Sequence, residues 1–142
     1  MTQSLRAAMA AIALVSVPVV LHAQATAAVL PTATAHPLTY VGNCPVPVEF
    51  VGHITSTVPG TLVEYRWERS DGSIGKTLRA TIGQAATPPD SVRHGNVTDP
   101  VESDRWRLAL PGKNGNYSST LHILSPFDIR SAPAVVRVAC RD

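Results

Sequence analysis

Apolar and polar residues alternate with a period of two along much of this chain, the mark of strands that bury one face. In "VPVEFVGHIT", Val46, Val48, Phe50, Gly52 and Ile54 fall on one face, and Pro47, Glu49, Val51, His53 and Thr55 on the other. After the turn signal "STVPG", Val63, Tyr65 and Trp67 alternate with Glu64, Arg66 and Glu68. The aromatics must take the inner face, because the opposite choice turns three charges into the core, each costing several kcal/mol when unpaired. "SDGS" ends that strand with Asp71-Gly72, a hairpin dipeptide whose Gly accepts positive φ without a Cβ clash.

The alternation resumes with Leu78, Ala80 and Ile82, then with Trp106, Leu108 and Leu110 set against Arg105, Arg107 and Ala109. In "YSSTLHIL", Tyr117, Ser119, Leu121 and Ile123 count inward, while Ser118, Thr120, His122 and Leu124 count outward. Ala134, Val136, Val138 and Cys140 share one side of the final run. Between these, residues 83–103 are irregular, and a structureless loop of that length is unusual in a compact domain, so a short edge strand is expected near 91–97. The expected large core side chains are Phe50, Tyr65, Trp67, Trp106, Tyr117 and Leu121.

No convincing apolar period of 3.6 residues follows residue 25. Six or seven short strands joined by Gly, Pro, Asn and Asp turns predict an all-β fold, an immunoglobulin-like antiparallel β-sandwich, with a closed barrel as the alternative. Twelve prolines and nine glycines suit such a turn-rich protein and argue against a helical one.

The first 25 residues follow a different pattern. Arg6, the apolar "AAMAAIALVSVPVVL" and Ala23-Gln24-Ala25 form the charged start, hydrophobic middle and small-residue cleavage site of an export signal. The apolar run is shorter than the roughly 20 residues that span a bilayer. Residues 26–37, "TAAVLPTATAHP", are expected to form a flexible lead-in, and residues 38–142 the sandwich domain. With Arg6 removed, basic and acidic residues nearly balance and none cluster, which argues against nucleic-acid binding. No later segment is apolar enough for a membrane span.

An exported protein meets an oxidising compartment, so Cys44 and Cys140 are expected to pair as a disulfide that closes nearly the whole domain.

The arrangement "YVGNCPVPVEFVGHI", "VEYRWERSDG", "RWRLAL", "LHILSP" and "AVVRVAC" resembles small Ig-like domains of bacterial secreted or envelope proteins, over residues 38–140. The resemblance implies a binding or structural module with no assigned ligand, placed in the periplasm, envelope or medium, whose partner is another envelope or extracellular protein. The chain departs from antibody-type domains. Ser119 stands two residues after Tyr117, where those domains carry a cysteine, so the expected bridge ties the first strand to the last.

Candidate chemistry is sparse. His36, His53, His94 and His122 lack metal-ligand spacing, so no metal or cofactor is expected. Glu68, Ser70 and Asp71 offer too few oxygens for calcium, and Asp71-Gly72 needs no metal to explain it. Asp90, Ser91, His94 and Asp99 contain the ingredients of a hydrolase, but no Gly-x-Ser-x-Gly elbow presents the serine, so catalysis is the lesser reading. A carbohydrate-binding module is a further alternative, disfavoured because both tryptophans count inward. The long loop, with Arg93, His94 and Asn96, is the candidate contact element. Arg66, Arg69, Arg105 and Arg107 would form an Arg-bearing face if their strands were neighbours.

Overall fold

A computed structural model describes residues 27–84, 95–108 and 114–141. Two sheets face each other. The first contains β1 (Val29–His36), β3 (Val46–Ser56) and β6 (Val97–Leu108), in the order β1-β3-β6. The second contains β2 (Thr39–Gly42), β4 (Thr61–Arg69), β5 (Leu78–Ile82), β7 (Gly115–Ser125) and β9 (Ala134–Cys140), in the order β2-β9-β7-β4-β5. The two-residue β8 (Ile129–Arg130) pairs with β7. Every pairing is antiparallel except β2 with β9. This is the expected Ig-like β-sandwich.

The expected inner faces meet between the sheets. Phe50, Ile54, Val63, Ile82, Leu121, Ile123 and Val136 are fully buried, with Tyr65 and Trp67 nearly so. Trp106 and Tyr117 are half-buried at the rim of this core, edge to face with centroids 5.7 Å apart, and Trp106 also packs against Phe50 at 6.5 Å. Cys44 and Cys140 form the disulfide, with Cα atoms 5.5 Å apart and a sequence separation of 96.

Two expectations are corrected. Residues 29–36 are not a flexible lead-in but strand β1, paired with β3 from Val29↔Ser56 to His36↔Glu49. Val29, Pro31 and Ala35 are buried there, so the period of two is present but is written in small residues and a proline. An edge strand tolerates that proline because one side of it makes no ladder bonds. The domain therefore begins with β1, not at residue 38.

The second correction concerns residues 83–103, which are regular from Val97 onward as the first half of β6. A β-bulge hid this half. Phe50 pairs with Asp104 but Gly52 pairs with Val101, so Glu102 and Ser103 together oppose Val51. The inward phase passes from Val97, Asp99 and Val101 to Asp104, Trp106 and Leu108, with Glu102 and Ser103 both turned outward between them. The bulge leaves the main chain of Glu102 without a ladder partner, and the two core aromatics supply one. The Glu102 N–H donates to Tyr65 Oη at 3.1 Å, and Trp67 Nε1 donates to the Glu102 carbonyl at 2.9 Å. The inward side chains of the "YRW" strand thus fill the core with their rings and satisfy the opposite sheet with their polar tips.

Gly52 sits beneath this bulge. A Cβ there would lie 2.9 Å from each of Leu121 Cδ2, Trp67 Cζ2 and Val101 Cγ2. Gly52→Ala is therefore expected to destabilise the fold by about 1–3 kcal/mol, the range for overpacking a filled core. A denaturation midpoint equal to that of the parent protein would show that the ring and the two methyl groups can move aside.

Candidate functional site

Three polar clusters stand out, and the first lies between the sheets. Asp104 enters the interior after the bulge and is almost fully buried. Arg69 reaches it from the opposite sheet with a two-pronged contact, Nε at 2.9 Å and Nη2 at 2.5 Å, and Ser119 Oγ donates to it at 3.0 Å. The bond to Asp104 raises the pKa of Arg69 above the ordinary arginine value. The Arg69 guanidinium also lies over the Trp106 ring at 5.1 Å. All of these groups are engaged with one another, so the cluster is a clamp between sheets.

The second cluster corrects the placement of His122, which alternation put outward in water. The residue does lie on the outer side of the sheet, but it is buried. Glu68 Oε1 sits 2.7 Å from Nδ1, and Asp128 Oδ1 sits 2.8 Å from Nε2. The segment carrying Asp128 is held down by Ser131, whose N–H donates to the Leu121 carbonyl at 2.9 Å and whose Oγ accepts from the Leu121 N–H at 3.1 Å. Arg66 and Arg130 also contact Glu68. Burial alone would raise the pKa of Glu68, but hydrogen bonds from His122, Arg66 and Arg130 outweigh it and lower the pKa to about 2. Asp128 is lowered chiefly by its bond to His122.

Because the folded pKa of Glu68 lies below its unfolded value, its ionised form stabilises the fold above that value, and the contribution fades as pH falls from 4.5 towards about 2. The thermal midpoint is expected to drop across this window, and Glu68→Gln to remove part of the drop, of the order of 2 kcal/mol. An unchanged pH slope in the variant would mean that the network contributes nothing to stability.

The third feature is a depression of about 530 Å³ on the outer face of the β1-β3-β6 sheet, lined by His36, Pro47, Glu49, Arg105 and Arg107 with the main chain beneath. Glu49 accepts from Ser103 at 2.7 Å and from Arg105 Nε at 3.2 Å, and these bonds lower its pKa. Arg107 is exposed and makes no ion pair among the described residues.

The other sequence candidates are dispersed. Arg93 and His94, with Asp90 and Ser91, lie outside the described residues, while Asn96 is exposed just before β6. Glu68, Ser70 and Asp71 do not converge. Glu68 faces His122, Ser70 Oγ accepts from the Ser118 N–H, and Asp71 accepts from Ser73 in a turn with Gly72 at φ 85°. The four arginines do not share a face, because β4 and β6 belong to opposite sheets and Arg69 turns inward to Asp104.

The architecture resembles a CARDB domain. That CARDB domain, from Pyrococcus furiosus and solved in complex with di-metal ions, matches over 81% of this chain and 96% of its own length, with a TM-score of 0.53 and 12% identity. At that identity the likeness to the CARDB domain carries the fold alone. No family model and no curated protein matches the sequence. Among the described residues, no group of three or more His, Cys, Asp or Glu side chains is arranged to hold a metal ion.

Proposed function

We propose that this protein is an exported Ig-like binding or structural module of the cell envelope or medium, whose partner is another envelope or extracellular protein. The observation that carries the reading is the Cys44–Cys140 disulfide closing an Ig-like sandwich, a bond suited to an oxidising compartment. The export pattern at residues 1–25 points the same way. The stretch containing Arg93, His94 and Asn96 is one candidate contact element, since loops on a rigid sandwich commonly carry recognition. A sugar-stacking role draws little support from the tryptophans. Trp67 is spent inside the core, and Trp106 is covered by Arg69, Phe50 and Tyr117.

Two measurements test this reading. The intact mass of non-reduced protein from the exported fraction should correspond to cleavage after Ala25 with both cysteines bonded. Unprocessed protein with free thiols would defeat the export claim. In-cell cross-linking of the tagged mature protein should then capture a partner through the folded form and not through a Cys44→Ser/Cys140→Ser control. A blank from both would remove the binding role.

A further inference from the structure

We propose that the free edge of β6, at the end of the sandwich that carries the disulfide, accepts an extended acidic segment of a partner protein as an added strand. The proposal rests on the binding-module reading and names its contact surface.

The first observation is a charge imbalance. Every carboxylate among the described residues already has an ion-pair or hydrogen-bond partner within the molecule. Among the same residues, Arg107, Arg137 and Arg141 have no carboxylate partner. All three lie towards one end. Arg107 is one step from the Val46↔Leu108 terminus of the β3–β6 ladder, and Arg137 and Arg141 flank Cys140 on β9 and just after it. The unneutralised charge of the described fold is therefore positive and gathered there.

The second observation is the edge itself. β6 is the last strand of its sheet, and no strand among the described residues pairs with its outer side. Arg107 stands opposite Pro47, which has no N–H to exchange, and the Arg105 carbonyl accepts from Arg69 Nη2 at 3.1 Å. The Pro47 pairing turns the main chain of Arg105 and Arg107 away from β3, and on that side Arg69 of the opposite sheet already occupies the Arg105 carbonyl. Their side chains share the outer face, two residues apart, beside the depression floored by Pro47.

An incoming strand uses both features together. Its main chain bonds to the edge groups other than the Arg105 carbonyl, which Arg69 holds, and carboxylates at alternate positions fall opposite Arg105 and Arg107. Arg105 is held by Glu49 through Nε, which leaves its terminal nitrogens for a charge-assisted bond. A small anion or an acidic sugar would engage the guanidinium groups but leave the edge unused, so a polypeptide is the occupant that fits.

The test is selection of a random peptide display library on the disulfide-intact mature protein. Synthetic versions of the enriched peptides are then measured by fluorescence anisotropy. Enriched peptides are expected to carry Asp or Glu at alternate positions. Their affinity should fall by about tenfold or more in Arg107→Glu, and by less than about twofold in Arg137→Glu, which makes the same charge change on the other sheet. N-methylation of alternate peptide amides should weaken binding by a similar factor. Circular dichroism and thermal melts establish that both variants fold. Acidic enrichment without alternation and insensitive to N-methylation overturns the added strand in favour of simple anion binding. No enrichment overturns it as well, and leaves Arg105 and Arg107 as charges that guard the edge against self-association. If selection fails while in-cell cross-linking still captures a partner, the module reading stands and its contact lies elsewhere. If cross-linking fails too, both readings fall.

Discussion

Trp67→Ala is expected to cost about 4–5 kcal/mol, the upper part of the range for emptying a large aromatic core site. Trp67 lies between Gly52 and the neighbouring strands with almost none of its surface exposed, so the cavity cannot refill from Gly52, which has no side chain to move. The substitution also strips the Glu102 carbonyl of the indole N–H that donates to it at 2.9 Å, and so adds the cost of an unsatisfied polar group at the bulge. Trp67→Phe separates the two effects. It keeps much of the ring volume but loses the N–H, and about 1–3 kcal/mol is expected. Urea denaturation with a shared m-value gives both numbers. A Trp67→Ala cost below about 1 kcal/mol would mean that the ring is not part of the core.

Removing the disulfide as Cys44→Ser/Cys140→Ser has an expected cost of about 4–5 kcal/mol in the chain-entropy model, because the bond spans a loop of 96 residues. A domain of this size commonly has only about 5–15 kcal/mol of stability in total, so the variant is expected to sit near its folding threshold at 37 °C. The parallel pair β2–β9 should suffer first, since β2 is four residues long and Cys44 follows its end by two residues. Thermal unfolding of the parent protein with and without reductant, beside the double variant, measures the cost. A loss under about 1 kcal/mol would show that the ladder alone holds the ends together.

The parts of the fold legible in the sequence were those where charge made the alternation unambiguous. Glu64, Arg66 and Glu68 left Val63, Tyr65 and Trp67 only one face to occupy. β1 was not legible because its inward positions are Val29, Pro31, Ala33 and Ala35, small residues that resemble linker composition. β6 was half legible, since a bulge changes parity in mid-strand and no single period spans Val97 to Leu108. His122 has the parity of a solvent-facing residue. It is buried by Asp128, six residues on, and by Glu68 from another strand, and local periodicity carries no information about either. Sheet membership was equally hidden. Nothing in the spacing of Arg66, Arg69, Arg105 and Arg107 assigns their strands to opposite sheets. For the candidate contact loop, Asn96 falls at the exposed entry to β6, while Arg93 and His94 lie outside the described residues.

The covalent link between Cys44 and Cys140 also decides how tension would travel through this molecule. A pull applied before β1 and after β9 reaches Cys44 from one side and Cys140 from the other, then passes through the sulfur bridge. Once β1 has parted from β3 and β2 from β9, the strands from β3 to β9 lie inside the bridged loop and carry none of that pull. Only β1 and β2 can be drawn out. Starting from Val29, that releases roughly 50–60 Å of extended chain before the bridge takes the strain. As a tether between two points, the protein would behave as a short extensible leader attached to an inextensible knot, with most of the sandwich still folded under load.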